Sequence, residues 1–379
     1  MTSYRIPFNR PGLAGNELRY IQESVDSGRI SGDGVFTERC RHLLEELIGA
    51  PRVLLTTSCT TALEMAALLL DLASGDEVIM PSFTFVSTAN AVVLRGARPV
   101  FVDIRPDTLN LDERLLERLI TPRTRAIVPV HYAGISCEMD ALLTVANRHR
   151  LEVVEDNAQG LFGEYRGRPL GSVGGLAALS FHETKNISCG EGGALVINDA
   201  RYIERAEIIR EKGTNRSRVF RGLVDKYTWV DVGSSALPSD LLAAFLYAQL
   251  ERRADIQAKR RRIWECYARE LAEWAAARGI GLPLVPDHCR QPYHLFYLIN
   301  TSLDQRTRLI AHLKARGILA VFHYLPLHLS EMGQRFGGKP GDCPVTEDLS
   351  DRVLRLPFYN DLSEEEQAYV IDSLRRFDG

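Results

Sequence analysis

The sequence predicts an α/β architecture: a mostly parallel sheet with helices, followed by a smaller α+β domain. Three observations carry this. Through the first two thirds of the chain, short apolar runs rich in β-branched residues alternate with longer amphipathic stretches. Several of those runs are continuous rather than alternating, the mark of strands buried on both faces. Beyond Gly279 the pattern changes to short strands and two isolated helices. Repeated strand–helix–strand units place the first part in the parallel α/β class.

The candidate strands, in order, are Val53–Thr56, Glu77–Met80, Arg98–Asp103, Ala126–His131, Glu152–Glu155, Ala178–Phe181 and Ala194–Ile197. They predict a sheet of seven strands. Helical stretches at Thr61–Leu72, Ser87–Leu94, Asp112–Leu119 and Met139–Arg148 separate most of them. Only His182–Gly193 lies between the sixth and seventh strands, too short for a helical crossover, so these two are expected to be antiparallel neighbours. Asp240 to about Ala277 reads as one long helix. Its run from Arg252–Arg253 to Lys259–Arg262 is expected on a solvated face. Short strands at Tyr293–Ile299 and Ile318–Val321 and helices at Gln305–Arg316 and Ser363–Arg376 complete the chain. The expected division is 1–250 for the larger domain with its N-terminal segment and 251–379 for the smaller.

Composition narrows the class of function. The chain has 379 residues, 45% hydrophobic and 25% charged, with a net charge of −3. Such a balance argues against a protein that coats nucleic acid. No apolar run approaches the ~18–20 residues of a membrane span; the most apolar helix candidate, Thr61–Ala73, is interrupted by Glu64 and Asp71. Met1–Gly12 has no apolar stretch of the secretory type. The 7 cysteines are scattered, without a C-x-x-C pair, which points to a reducing cytoplasm. In that compartment the N-x-S sequences at Asn186, Asn215 and Asn300 are chance matches.

In parallel α/β sheets ligands bind beyond the carboxyl ends of the strands, so the loops there hold the candidates. After the first strand comes Thr57-Ser58-Cys59-Thr60-Thr61, a polar small-residue loop that opens a helix. It could present free N–H groups to a phosphate; Thr61 and Glu64 also fit a capping box. Glu155-Asp156-Asn157-Ala158-Gln159 follows the fifth strand. An acid there is either a structural pair or a functional carboxylate. Ser180-Phe181-His182-Glu183-Thr184-Lys185-Asn186 follows the sixth strand, ahead of the turn Gly190-Glu191-Gly192-Gly193. Lys185 is either a surface lysine or a desolvated amine able to form a Schiff base. His131-Tyr132 end the fourth strand, as a packed pair or as substrate contacts. His182-Glu183 begins like H-E-x-x-H, but Asn186 fills the fifth position, so a zinc site is excluded. Gly190–Gly192 precedes a strand rather than following one, which disfavours a dinucleotide site.

Taken together, a phosphate cradle, an acid and a lysine are the parts that pyridoxal phosphate requires of a protein. At these residues the chain resembles the DegT/DnrJ/EryC1/StrS family of sugar aminotransferases. Glu155–Gln159, Ser180–Asn186 and Gly190–Ala194 carry the likeness, together with Ile6–Phe8, Gly28–Gly34, Pro81–Asn90 and Tyr324–His328; it spans nearly the whole chain. The resemblance implies the type I, aspartate aminotransferase-like fold and a homodimer with sites at the interface. It implies that Lys185 carries the cofactor aldehyde and later shuttles a proton, and that Asp156 pairs with the pyridine nitrogen. Gln159 would lie near the ring hydroxyl, Phe85 would stack on the ring, and Ser58, Cys59 and Ser180 would contact the phosphate. Ser235 takes the place where relatives bring an asparagine from the second subunit. His323, Tyr324 and His328 are expected near the site. The implied reaction moves an amino group from L-glutamate to the 4-keto carbon of a dTDP-linked 6-deoxyhexose, with no metal, no nucleic acid and no membrane involved. Dehydratases of the same fold replace the lysine with histidine, so Lys185 argues against that alternative. A non-catalytic regulator gains no support from the charge balance.

Overall fold

The computed structural model describes residues 4–216, 219, 222 and 225–378. Its centre is a sheet of seven strands: β1 (Arg52–Thr56), β2 (Glu77–Pro81), β3 (Arg98–Val102), β4 (Thr124–Ile127), β5 (Glu152–Asp156), β8 (Leu176–Ser180) and β9 (Gly193–Ile197). The spatial order is β1-β9-β8-β5-β4-β2-β3. Pairings from β8 through β3 are parallel, whereas β9 runs antiparallel to both β8 and β1. The short link between the sixth and seventh strands thus has the effect expected of it.

Burial on both faces explains why these strands lack alternation. Leu54, Ala178, Leu195 and Ile197 enter one apolar cluster with the helix Cys59–Leu69 and with Ala206 and Ile209 of the helix Ile203–Arg210. Their neighbours Val53, Leu55, Ala177, Leu179, Ala194 and Val196 enter another, on the opposite face. That second cluster includes the helices Val35–Ile48 and Asp240–Glu251. At the other end of the sheet Ile79, Ile127 and Val153 pack against Leu142 and Ala146 of the helix Met139–His149.

Two short strands, β6 (Glu164–Tyr165) and β7 (Arg168–Pro169), form a hairpin beside β10 (Cys289–Arg290). A third sheet orders β11 (Tyr297–Ile299), β13 (Val353–Arg355) and β12 (Val321–Phe322), all antiparallel, with β13 in the middle. It joins a separate apolar cluster running from Ile263 to Phe377, which also takes in Ile6. Ile6 reaches it by bridging Ile318, with hydrogen bonds to Gly317 and Leu319. The last helix, Glu364–Arg375, starts at a full capping box of Ser363 and Glu366.

Several sequence expectations need correction. Asp112–Leu119 is two 3-10 turns, Glu113–Leu115 and Glu117–Leu119, the first capped by the Asp112 side chain accepting from Arg114 N. The long helix breaks at Arg252 into Asp240–Glu251 and Arg253–Ala276. Within its basic run Arg260 is 2% exposed. It donates to the carbonyl oxygens of Tyr293 and His294 and to Asn360 Oδ1, and burial pushes its pKa down to about 9. The helices Glu17–Asp26 and Val35–Ile48 and the strand Val353–Arg355 have no counterpart in the sequence reading.

Candidate active site

The carboxyl ends of β1, β2, β4, β5 and β8 and the start of β9 meet at one edge of the sheet, around a cavity of about 800 Å³. Ser58, Cys59, Phe85, Asp156, Gln159, Ser180 and Lys185 all line it.

The first wall is a helix start. Ser58 is extended and caps the helix Cys59–Leu69, its Oγ accepting from Thr61 N at 3.0 Å. Thr61 is therefore inside the helix, and the Thr61–Glu64 capping box is not formed. The cap takes one orphan donor, while the remaining first-turn N–H groups of Cys59 and Thr60 belong to the cavity wall. Such an end attracts anions. β9 approaches so closely that a Cβ on Gly193 would sit 2.3 Å from Ser58 C and 2.4 Å from Cys59 N. Only glycine permits the approach.

The two adjacent acids of β5 divide the alternatives that the sequence leaves open. Alternation along a strand sends them to opposite faces. Glu155, fully buried, bonds His131 Nε2 at 2.9 Å and accepts from the N–H groups of Gly171, Val173 and Gly174. Burial works to raise its pKa, but the hydrogen bonds from His131 and the backbone donors outweigh it and hold the pKa low. His131 is thereby a packed structural partner, its Nδ1 accepting from Cys137 N at 3.2 Å. Asp156 faces the cavity. Its Oδ2 accepts from Thr88 Oγ1 at 2.7 Å and its Oδ1 from Ala158 N at 3.2 Å. Burial raises its pKa, and Thr88, Ala158 and the charge of Lys185 oppose that rise.

Lys185 sits in the loop between β8 and β9. Both ends of the loop are tied: Phe181 N donates to Gly192 O at 2.8 Å, Cys189 N to Phe181 O at 2.9 Å and Glu183 N to Gly190 O at 2.9 Å. Asn186 is anchored to Pro292 O and His294. Desolvation lowers the pKa of the Lys185 amine, with Cys59 and Asp156 working against it and Arg355 with it.

Other residues complete the wall. Gln159 is held at both ends, its Oε1 by Ala133 N at 2.8 Å and its Nε2 by Tyr324 OH at 2.9 Å. Phe85 is 57% exposed, its ring 6.4 Å from that of Tyr324. Ser180 lies at the end of β8. His323 and Tyr324 line the cavity; His323 Nδ1 meets Tyr132 OH at 2.8 Å. His328 does not line it, being bound to Ser82 and Glu347. Ser235 is exposed and lies outside the cavity of its own chain. Part of the surrounding stretch 212–235 falls outside the described residues. Sequence reasoning misses Phe8, Asn9, Thr88, His294 and Arg355, which reach the site from distant positions. Among the described residues no His/Cys/Asp/Glu group could hold a metal, and no helix is long and apolar enough to cross a membrane.

The donor set suits pyridoxal phosphate: an amine whose charge is disfavoured, a carboxylate oriented by two donors, and a helix start with free N–H groups whose backbone packs on Gly193 too closely for any Cβ there. Enzymes of the aspartate aminotransferase fold are assembled in this manner, and the chain is a pyridoxal phosphate-dependent transferase of that class. More narrowly, it belongs to the DegT/DnrJ/EryC1/StrS aminotransferase family, whose profile matches residues 12–375, and it is a sugar aminotransferase. It is 35% identical over 378 residues to GDP-perosamine synthase of Caulobacter vibrioides, covering 98% of this chain and 97% of that one. It is 34% identical over 381 residues to the spore coat polysaccharide biosynthesis protein SpsC of Bacillus subtilis, covering 98% and 96%. The solved PLP form of Spr1654 from Streptococcus pneumoniae superimposes with a TM-score of 0.91 at 28% identity, covering 98% of each chain.

Proposed function

We propose that the chain transfers the amino group of L-glutamate to the 4-keto carbon of dTDP-4-keto-6-deoxy-D-glucose, giving dTDP-4-amino-4,6-dideoxy-D-galactose. The observation that carries the transamination is the meeting of Lys185 and Asp156 in one cavity, the first with its charge disfavoured and the second held by Thr88 and Ala158. The choice of sugar rests on the likeness of Thr57–Met65, Ser180–Asn186 and Lys212–Ser235 to dTDP-4-amino-4,6-dideoxygalactose transaminase. The relative GDP-perosamine synthase supports a nucleotide-linked sugar and makes GDP the alternative nucleotide to test.

Bound pyridoxal phosphate supplies an aldehyde to receive the amino group and a ring that draws electrons from the reacting carbon. In this reading Lys185 Nζ holds the cofactor at rest. Burial favours the uncharged form of this amine, which would move a proton at the donor's α-carbon. Asp156 would pair with the ring nitrogen through Oδ2, the oxygen that Thr88 orients. The N–H groups of Cys59 and Thr60, with Ser58 and Ser180, would hold the phosphate, Gln159 would serve the ring hydroxyl and Phe85 would cover the ring. Ser235 acts in the site of the second subunit of a homodimer. The division into 1–250 and 251–379, and a cytoplasmic location, belong to the same proposal.

The test is incubation of the holoenzyme with glutamate and a panel of dTDP-, UDP- and GDP-linked 3-keto and 4-keto sugars, with the products identified by mass and NMR. The 4-amino galacto product from the dTDP sugar is expected. Amination confined to a 3-keto sugar, or to another nucleotide, overturns the assignment.

A further inference from the structure

Two hydrogen-bond donors meet in the cavity wall without an acceptor. Gln159 Oε1 accepts from Ala133 N at 2.8 Å. A backbone N–H can only donate, so this bond fixes which way round the amide lies. The other end, Nε2, meets Tyr324 OH at 2.9 Å. An amide nitrogen carries hydrogens and accepts nothing. The phenol oxygen is therefore the acceptor, and its own proton is still to be given. Among the described residues no acceptor takes that proton, nor the second hydrogen of Gln159 Nε2. Both side chains line the cavity.

The phenol is held in place and kept protonated. Its ring centroid lies 3.7 Å from that of His323, 5.5 Å from Phe83 and 6.2 Å from Tyr132. Burial pushes its pKa up; Asp156 and Cys59 add to the rise, while Arg355 and the bond from Gln159 oppose it. A partly buried donor left unspent is costly. The two donor atoms, 2.9 Å apart, can close on a single oxygen of a ligand. Asp156, Lys185 and the helix start already answer the ring nitrogen, the aldehyde and the phosphate of the cofactor. The ring hydroxyl is the polar group left over, and Gln159 with Tyr324 is the donor pair left over.

We propose that Tyr324 gives its hydroxyl proton to the ring oxygen of pyridoxal phosphate, beside Gln159. The proposal rests on the aminotransferase reading above and adds a cofactor contact from the C-terminal part of the chain. A donor at that oxygen stabilises its ionised form. The proton shared between the oxygen and the lysine-linked nitrogen then leaves at lower pH. The test is a pH titration of the visible band in the holoenzymes of wild type, Y324F, Q159A and the double variant. In Y324F the band should persist, which shows a folded and loaded site, and its midpoint should rise by ~1 unit, the scale of one hydrogen bond to a charged group. The double variant should titrate higher again than Q159A. A tyrosine that merely steadies Gln159 would add nothing once the glutamine is gone. Binding gives a second readout that needs no bond to lysine. The wild-type apoenzyme should hold pyridoxamine phosphate more tightly than its 3-deoxy analogue, and Y324F should narrow that ratio ~10-fold. An unmoved midpoint with an unmoved ratio in Y324F overturns the proposal. So does a double variant that titrates with Q159A, or a loss confined to the keto-sugar half-reaction, which would place the phenol on the substrate. Failure of the wild-type apoenzyme to form any visible band with the cofactor would instead overturn the transamination reading itself.

Discussion

Thr88 offers the sharpest test of how Asp156 is kept charged. Its hydroxyl donates to Asp156 Oδ2 at 2.7 Å, and Thr84 Oγ1 lies 2.8 Å behind it. Thr88→Val keeps the shape and deletes the donor. A hydrogen bond to a charged group contributes about 1.5–3 kcal/mol; at 1.36 kcal/mol per pKa unit, its loss lets the Asp156 pKa rise by ~1–2 units. Burial already pushes in that direction, and Ala158 N is the one remaining neutral anchor. The sign follows: a bond to the ionised form favours it, so removing the bond moves the acid limb of the rate upward in pH. Below the new limb the rate should fall ~10–100-fold. The assay is the glutamate half-reaction, followed by the visible band from mildly acidic to mildly alkaline pH, with Thr88→Ser as the variant that keeps the hydroxyl. An acid limb that stays in place in Thr88→Val, with Thr88→Ser indistinguishable from it, would refute the reasoning.

Three further expectations follow from the same geometry. Lys185→Ala should lose both the visible band and turnover; an intact band would show that another amine holds the cofactor. Gly193→Ala should weaken cofactor affinity ~10–100-fold, because the added methyl must displace the Ser58–Cys59 backbone at a typical overpacking cost of about 1–3 kcal/mol; equilibrium titration of the apoenzyme with cofactor measures it. Glu155→Gln should destabilise the fold by about 1–3 kcal/mol, read from denaturant midpoints, since it leaves buried donors of His131 and the Gly171–Gly174 turn short of an acceptor. Because the folded state holds the Glu155 pKa low, its contribution is present above the ordinary carboxylate range and lost as pH falls through that lowered value. The stability profile of Glu155→Gln should therefore be flatter in acid.

The strands of the large sheet are legible because burial on both faces writes itself into local composition: Val53–Leu55 and Ala194–Ile197 are apolar throughout. The reversal of β9 is legible from chain length alone. The three loops at the sheet edge can be found by position, and Lys185 and Asp156 by the chemistry they share. The residues by themselves do not tell Glu155 from Asp156 in role, although strand alternation already requires them to face apart. What stays hidden depends on distant approach. Thr88 is one threonine among several until Asp156 comes within 2.7 Å. Arg355 ends a strand of three residues, too short for any period to show. Arg260 belongs to a basic run by sequence and to the interior by contact with Tyr293, His294 and Asn360.

The path of the first described residues has a practical side. Ile6 is threaded into the C-terminal cluster, Phe8 and Asn9 form part of the cavity wall, and Asn9 Nδ2 reaches Glu183 O at 3.2 Å, two residues from Lys185. Trimming through Asn9 would strip a side of the reaction chamber while sparing every residue that performs chemistry.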